Sequence, residues 1–243
     1  MSIPLKDNAM SYTLYHIISQ KKQSMSAKLI HTAVQAILNA LYPQDCLGCG
    51  LKNEILCREC VQKTDHPTLP VSGNIFVAAD YNDDFVKKTI WLLKYKKIKT
   101  AAKPLAELLD MRIAGKPSFS SALKRGHWAI VPIPLSKKRF RERGFNQSEL
   151  IAKKLSDRMS VKVLPNVLYK KYHTDTQVSI KDRKKRLENV TDSFASKNVH
   201  FVKNKNIILV DDVTTTGATI REARKTLRAA GAKKVIAMVV ARG

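Results

Sequence analysis

Residues 207–220, IILVDDVTTTGATI, place an apolar run, two adjacent carboxylates and a threonine-glycine run end to end. That order predicts a buried strand, a turn and the first turn of a helix. Ile207, Ile208, Leu209 and Val210 form an uninterrupted β-rich run, as in a parallel strand covered on both faces, so Asp211 and Asp212 are expected at its carboxyl end. Ligands of open α/β sheets bind at that edge. Thr214, Thr215, Thr216, Gly217 and Thr219 add hydroxyl donors and a glycine that lets backbone N–H groups converge at a helix N-terminus, which suits a phosphate. Two carboxylates would repel phosphate, so they are expected to accept from paired hydroxyls, and the string describes a ribose 5-phosphate. The competing reading is an acidic strand end before a threonine-capped helix. A Walker-type loop is excluded, because GxxxxGK[ST] occurs nowhere.

With 243 residues, the chain is long enough for one well-buried domain and a small appendage. No apolar run approaches the ~18 residues that span a bilayer. Lys6, Asp7, His16, Lys21 and Lys22 interrupt the N-terminal region, which therefore lacks a secretory apolar core, and cytoplasmic residence is the default. A formal charge of +24 exceeds what solubility requires and favours polyanionic partners, nucleic acid first. A generally basic solvated surface is the plain alternative. Attachment to the anionic inner face of a membrane is a weaker one.

Cys46, Cys49, Cys57 and Cys60 are the only cysteines and form two CxxC pairs. Each pair fits one zinc knuckle, with Gly48 and Gly50 freeing the backbone to turn in CLGCG. A redox motif would be expected once, beside a βαβ unit, and disulfides are rare in the cytoplasm. A structural Zn2+ held by four thiolates is the expectation, with a compact hairpin through Leu51–Leu56.

Residues 1–26 show no sustained periodicity and are expected to form a poorly ordered extension. A helix over Ala27–Tyr42, the cysteine module and a linker containing His66, Pro67 and Pro70 make a second segment, 27–70. Residues 71–243 alternate strands and helices, as a parallel sheet requires. Strands are expected at Ile75–Tyr81, Trp128–Pro134, Val163–Tyr169, Ile207–Val210 and Lys234–Val240. Helices are expected after Asp83 and Asp84, from about Ala102 to Gly115, from a capping-box-like Asn146 and Glu149, and from the threonine run to Gly231.

Two basic stretches are expected as loops near the ligand edge. SKKRFRERGFNQ holds Lys137, Lys138, Arg139, Arg141 and Arg143, and KDRKKRLENV holds Lys181, Arg183, Lys184, Lys185 and Arg186. Lys138 and Lys184 read individually as solvated charges. The mixture Arg143, Gly144, Phe145, Asn146 and Gln147 could grip pyrophosphate or stack on a base.

Residues 207–219 resemble the phosphoribosyl-pyrophosphate (PRPP) motif of type I phosphoribosyltransferases. CLGCG with CREC, then KYKK, VPIPLSKKRFRERGFNQSELIAKKL, QVSIKDRKKRLENV with Phe194, and VDDVTTTGATI occur in the order of the ComF/ComFC family of competence proteins, and the resemblance covers about Ile37–Gly243. It implies a small N-terminal four-cysteine zinc module and a type I phosphoribosyltransferase-like α/β domain, a parallel sheet flanked by helices. It also implies a role in natural transformation, handling or importing single-stranded DNA on the cytoplasmic side. By position, Asp211 and Asp212 would hold ribose hydroxyls and Thr214–Thr219 the 5-phosphate. Lys94, Tyr95 and Lys96 match the pyrophosphate loop, and Lys137–Arg143 fall where the transferases have a mobile loop. Mg2+ would accompany PRPP. A helicase-like competence ATPase is an implied partner.

The pattern departs from the transferases in two respects. Only Ala241, Arg242 and Gly243 follow Val240, so no acceptor-reading hood is expected there, and no residue is an evident general base. The leading expectation is a DNA-handling factor with a PRPP pocket. The alternative is an active phosphoribosyltransferase in nucleobase or nucleotide metabolism.

Overall fold

The computed structural model describes residues 45–65, 75–114, 121, 123, 126–171 and 192–243. The expected extension, the helix over Ala27–Tyr42, the linker prolines, Arg183 and Arg186 lie outside the described residues. A short helix α1 (Arg58–Gln62) precedes β1 (Ile75–Asp80), α2 (Asp84–Lys94), α3 (Ala102–Ala114) and β2 (Trp128–Pro132). Then come α4 (Lys137–Arg143), α5 (Gln147–Met159), β3 (Leu168–Lys170), β4 (Phe194–Ser196), β5 (Asn206–Thr214), α6 (Ala218–Ala229) and β6 (Lys234–Arg242). Strands β1, β6, β5 and β2 lie side by side in that order, all parallel, while β3 and β4 form a separate antiparallel pair.

Period-two alternation along β5 and β6 divides the core between the two faces of the sheet. Ile208, Val210, Ile236, Met238 and Val240 join Ile90, Leu93, Leu105 and Ile151 of the helices on one face. Ile207, Leu209, Val235, Ala237 and Val239 meet Ile220, Ala223 and Leu227 of α6 on the other. Coverage on both sides explains why β6 is apolar along almost its whole length. The cysteine segment contributes to the first of these cores, through Ile55, Leu56 and Val61.

Three expected elements are corrected. Strand β5 does not stop at Val210 but continues to Thr214, so Asp211 and Asp212 lie inside it. Its neighbour β6 is equally long and keeps pairing, with Asp211 opposite Val239 and Thr214 opposite Arg242. On its other side, pairing with β2 ends at Pro132 opposite Val210, and the Ile133 amide donates the last bond, 2.9 Å, to the Val210 carbonyl. Pro132 and Pro134 have no N–H to donate, so β2 peels away and β5 is left open on that side at the two carboxylates.

Val163–Tyr169 is not one strand. Val163 makes a single parallel bridge to Ile130, after which Pro165 and Asn166 turn the chain, and Leu168–Lys170 pairs with β4 instead. Lys137–Arg143 is a helix, not a loop: the Ser136 hydroxyl accepts from the Arg139 amide, and Gly144, at φ +79, ends it. None of its residues is buried, and a helix with one apolar side chain, Phe140, gives no hydrophobic periodicity to read.

Candidate functional site

The open stretch of β5 places its carboxylates in different environments. Asp212 is buried, accepts from the Val213 amide at 2.7 Å through Oδ1, and meets Lys94 Nζ at 2.6 Å through Oδ2. The ammonium comes from the last turn of α2, so KYKK and the acidic pair are brought together by the packing of that helix on the sheet. Asp211 accepts through Oδ1 from the Ser148 hydroxyl and from the Asp212 amide, each at 2.9 Å. Burial and then the adjacent Asp212 carboxylate push the Asp211 carboxyl up to about 7, against the opposing pull of Ser148, the Asp212 amide and Lys94. A carboxyl of raised basicity thus stands at the strand edge beside one that is paired with Lys94.

Past Thr214 the chain bends through Thr215, Thr216 and Gly217 into α6. Gly217 is at φ +74, a left-handed conformation that glycine adopts without strain. A Cβ there would lie 3.2 Å from Arg221 Nη1 and 3.4 Å from Ile75 Cδ1. The turn is held by Arg221, whose Nη1 donates to the Thr216 carbonyl at 2.7 Å. Thr219 lies in the first turn of α6, so its hydroxyl and those of Thr215 and Thr216 share one helix N-terminus, where backbone N–H groups and the helix dipole favour an anion.

The basic candidates divide into groups. Arg143, at the end of α4, donates to Gln147 Oε1 at 2.7 Å and holds its guanidinium 5.8 Å from the centre of the Tyr95 ring. The KYKK and RGFNQ segments therefore touch. Lys96 turns to the Trp91 ring, 5.2 Å away. Asn146 caps α5 by accepting from the Ser148 amide and donates to the Ile133 carbonyl, which ties β2's last turn to the helix carrying Ser148. The reciprocal half of the expected capping box is replaced by a Glu149–Lys153 ion pair at 2.6 Å. Lys137 and Arg141 line a cleft of about 600 Å³ with Phe140, Asn146, Pro165 and Tyr169. Arg139 acts electrostatically on Lys170, whose ammonium is lowered first by desolvation and then by Arg139, while Asp211 opposes.

Ser148 and Lys170 are the residues that sequence reasoning missed. Ser148 follows Asn146 and Gln147 and is fully buried, and an alternative signal was available: a serine on the inward face of an otherwise apolar helix stripe needs a buried acceptor. Lys170, whose Nζ stands 5.9 Å from the Phe194 ring, comes within the electrostatic influence of Asp211 and Arg139 through the turn at Pro165, which no local pattern encodes.

The four cysteines converge, their sulfurs all within 4.8 Å of one another. Tetrahedral Zn–S bonds of about 2.3 Å would place sulfurs about 3.8 Å apart. The Cys49 and Cys57 sulfurs are at 3.6 Å, and the Cys57 amide donates to Cys46 Sγ at 3.3 Å. A Cβ on Gly48 would fall 2.6 Å from Cys60 Sγ, so the first knuckle closes only on glycine. Against the upward push of burial, amides of Cys57, Cys49 and Gly48 draw the Cys46 thiol down to about 6, while the Cys60 thiol is raised by burial. The Cys46 thiolate forms readily, whereas Cys57 and Cys60 resist ionisation. The residues fit one Zn2+ with no position left open.

These features can be set beside known proteins. The phosphoribosyl transferase domain family matches residues 146–243, which include Ser148, both carboxylates and the threonine turn. Competence protein ComFC of Bacillus subtilis is 34% identical over 194 residues, 75% of this chain and 70% of that protein. Competence protein F of Haemophilus influenzae is 38% identical over 109 residues, 44% of this chain, and the match spans 47% of its length. DNA utilization protein YhgH of Escherichia coli is 29% identical over 195 residues, 78% of this chain and 80% of that protein. No described helix is long and apolar enough to cross a membrane. A parallel sheet with a phosphoribosyl transferase domain, a preceding four-cysteine cluster and matching competence proteins lead to one assignment: the chain belongs to the ComF/ComFC family of competence proteins.

Proposed function

We propose that this protein handles single-stranded DNA during natural transformation and that the open edge of β5 binds PRPP. The observation that carries the reading is the meeting of Lys94 with Asp212 at 2.6 Å, beside Ser148 and Asp211 at 2.9 Å, which assembles three distant sequence segments around the open edge of one strand. In this reading Asp211 and Asp212 accept from the ribose hydroxyls. The Thr214–Thr219 turn donates N–H and O–H groups to the 5-phosphate, and Lys94, Tyr95 and Lys96 lie on the pyrophosphate side. Lys94 leaves Asp212 as the diphosphate arrives, exchanging one anion for a stronger one. Among the described residues only the cysteines form a group of three or more metal-ligating side chains, so Mg2+ would be held chiefly by the ligand's own phosphates. It would neutralise their charge.

The cations Lys137, Arg139, Arg141 and Arg143 and the rings near them supply the electrostatic and stacking contacts that single strands need. Arg183 and Arg186 are assigned to the same role from sequence alone. Zn2+ on Cys46, Cys49, Cys57 and Cys60 stabilises the fold, and movement of DNA falls to a separate helicase-like ATPase. Calorimetric titration of PRPP with and without an oligodeoxythymidylate tests both ligands. Binding of each, with PRPP lost in Asp212→Ala, supports the proposal, and no PRPP heat in the wild type sinks the pocket.

A second reading, an active phosphoribosyltransferase, is favoured by the family match over residues 146–243 and by the raised Asp211 carboxyl, which could hold a proton near neutral pH. Release of pyrophosphate from PRPP with a panel of nucleobases, absent in Asp212→Ala, would select it. An unresponsive panel would favour binding without transfer.

A further inference from the structure

Helix α2 and the residue that caps its C-terminus keep two aromatic rings in solvent at the basic end. Trp91 is 46% exposed and Tyr95 64% exposed, and neither is needed for the core, which α2 reaches through Val86, Ile90 and Leu93. Their spacing, i and i+4, puts them on one face of the helix, and the exposed Lys87 continues the same row one turn earlier. Each ring carries a cation: Lys96 Nζ stands 5.2 Å from the Trp91 centroid and Arg143 5.8 Å from that of Tyr95. The Arg143 guanidinium is itself fixed by Gln147 at 2.7 Å, so one edge of the row is pre-organised by a separate helix.

Large rings exposed at such fractions cost solvation free energy unless something covers them, and cations seated on them exclude a basic or a purely apolar partner. A ligand that presents flat π-surfaces and a regularly spaced negative charge satisfies both rings and all the flanking cations at once. We infer that the Trp91–Tyr95 face of α2 is a stacking platform for single-stranded nucleic acid, two unpaired bases lying on the rings while Lys87, Lys96 and Arg143 meet the backbone phosphates. Duplex DNA fits less well, because its bases are already stacked and do not offer their faces. This inference rests on the DNA-handling reading above and deepens it by naming where the strand lies: on α2, whose last residue, Lys94, is paired with Asp212.

Trp91 supplies its own probe. Titration of the full chain with unlabelled oligodeoxythymidylate at low salt should quench tryptophan fluorescence. Trp91→Phe should abolish the quench yet keep affinity within about threefold, since a phenyl ring still stacks. Trp91→Ala and Tyr95→Ala should each weaken binding on the order of tenfold by anisotropy, with thermal midpoints unchanged. If the wild type binds the oligonucleotide and both alanine variants bind equally well without any loss, this platform is overturned and the DNA-handling reading stands. If the wild type binds no single strand, both fall. If the alanine variants lose binding to phosphatidylglycerol vesicles but not to the oligonucleotide, the face is a membrane surface and the inference is wrong.

Discussion

At the cysteine centre four thiols lie within 4.8 Å of one another, whereas at the carboxyl edge of the sheet two successive carboxylates of β5 share a lysine and a serine. Both regions crowd acidic groups, and they relieve the crowding by different means. The thiols of Cys46 and Cys57 have backbone amides and, among the described residues, no protein cation as a hydrogen-bonding partner, and the four together could hold a metal ion. The carboxylates have a protein ammonium and an open strand edge, which in the proposed reading receives the ligand that displaces it. A centre with every position filled from within serves stability, and one balanced by a movable side chain is suited to binding.

The largest effect should follow loss of the metal. Cys57→Ser with Cys60→Ser should remove zinc, read by atomic emission, and cost at least about 5 kcal/mol, or roughly 10–20 °C of thermal midpoint. Cys46, Cys57 and Cys60 sit in the same core as Leu56 and Val61, so the loss should spread beyond the segment. Unchanged zinc content and midpoint would remove one side of the comparison.

Next is Lys94→Met, which keeps the stem but leaves Asp212 buried without its cation. About 3–5 kcal/mol should be lost by urea denaturation, and Lys94→Met with Asp212→Asn should recover most of it. A double variant no better than the single one would show that Lys94 acts through packing alone.

Smaller again is a pH effect at Asp211. Its carboxyl titrates near 7 when folded against an ordinary value of 3.8, so between those values the folded state holds a proton that the unfolded state has lost. The stability contributed by this group is therefore complete below about pH 4 and is lost as pH rises through about 7. Asp211→Asn should flatten that segment of the stability profile, between about pH 4 and 7. An identical slope in the variant would assign the titration elsewhere.

The smallest change is Ser148→Ala, about 1 kcal/mol from one buried hydrogen bond. Because the hydroxyl donates to the ionised form, its removal should raise the Asp211 titration further, visible by NMR.

Much of the sheet was legible in the residues themselves. Strands β5 and β6 announce themselves as apolar runs because both faces are covered, and Asp83 marks the start of α2 by accepting from the Val86 amide at 2.9 Å. Helix α4 was illegible, since nothing it carries is buried, and the divided Val163–Tyr169 segment depended on which partner strand Leu168 would meet. The cysteine spacing predicted a metal centre. That the cysteine segment shares its core with the sheet helices depended on long-range packing, including Arg112, which donates to the Ala78 carbonyl at 3.2 Å and the Thr64 carbonyl at 2.6 Å.

The sequence by itself determined the two acidic groups, their order, the threonine turn and the parallel strand that bears them, because each is written in neighbouring residues through side-chain periodicity and backbone freedom. Only the tertiary structure decided that Lys94 would balance Asp212, that Ser148 would hold Asp211, and that Trp91 and Tyr95 would stay uncovered beside Arg143. Those pairings join residues as many as 118 or 63 positions apart, from helices whose placement is set by the packing of whole elements on the sheet, and no local pattern records that packing.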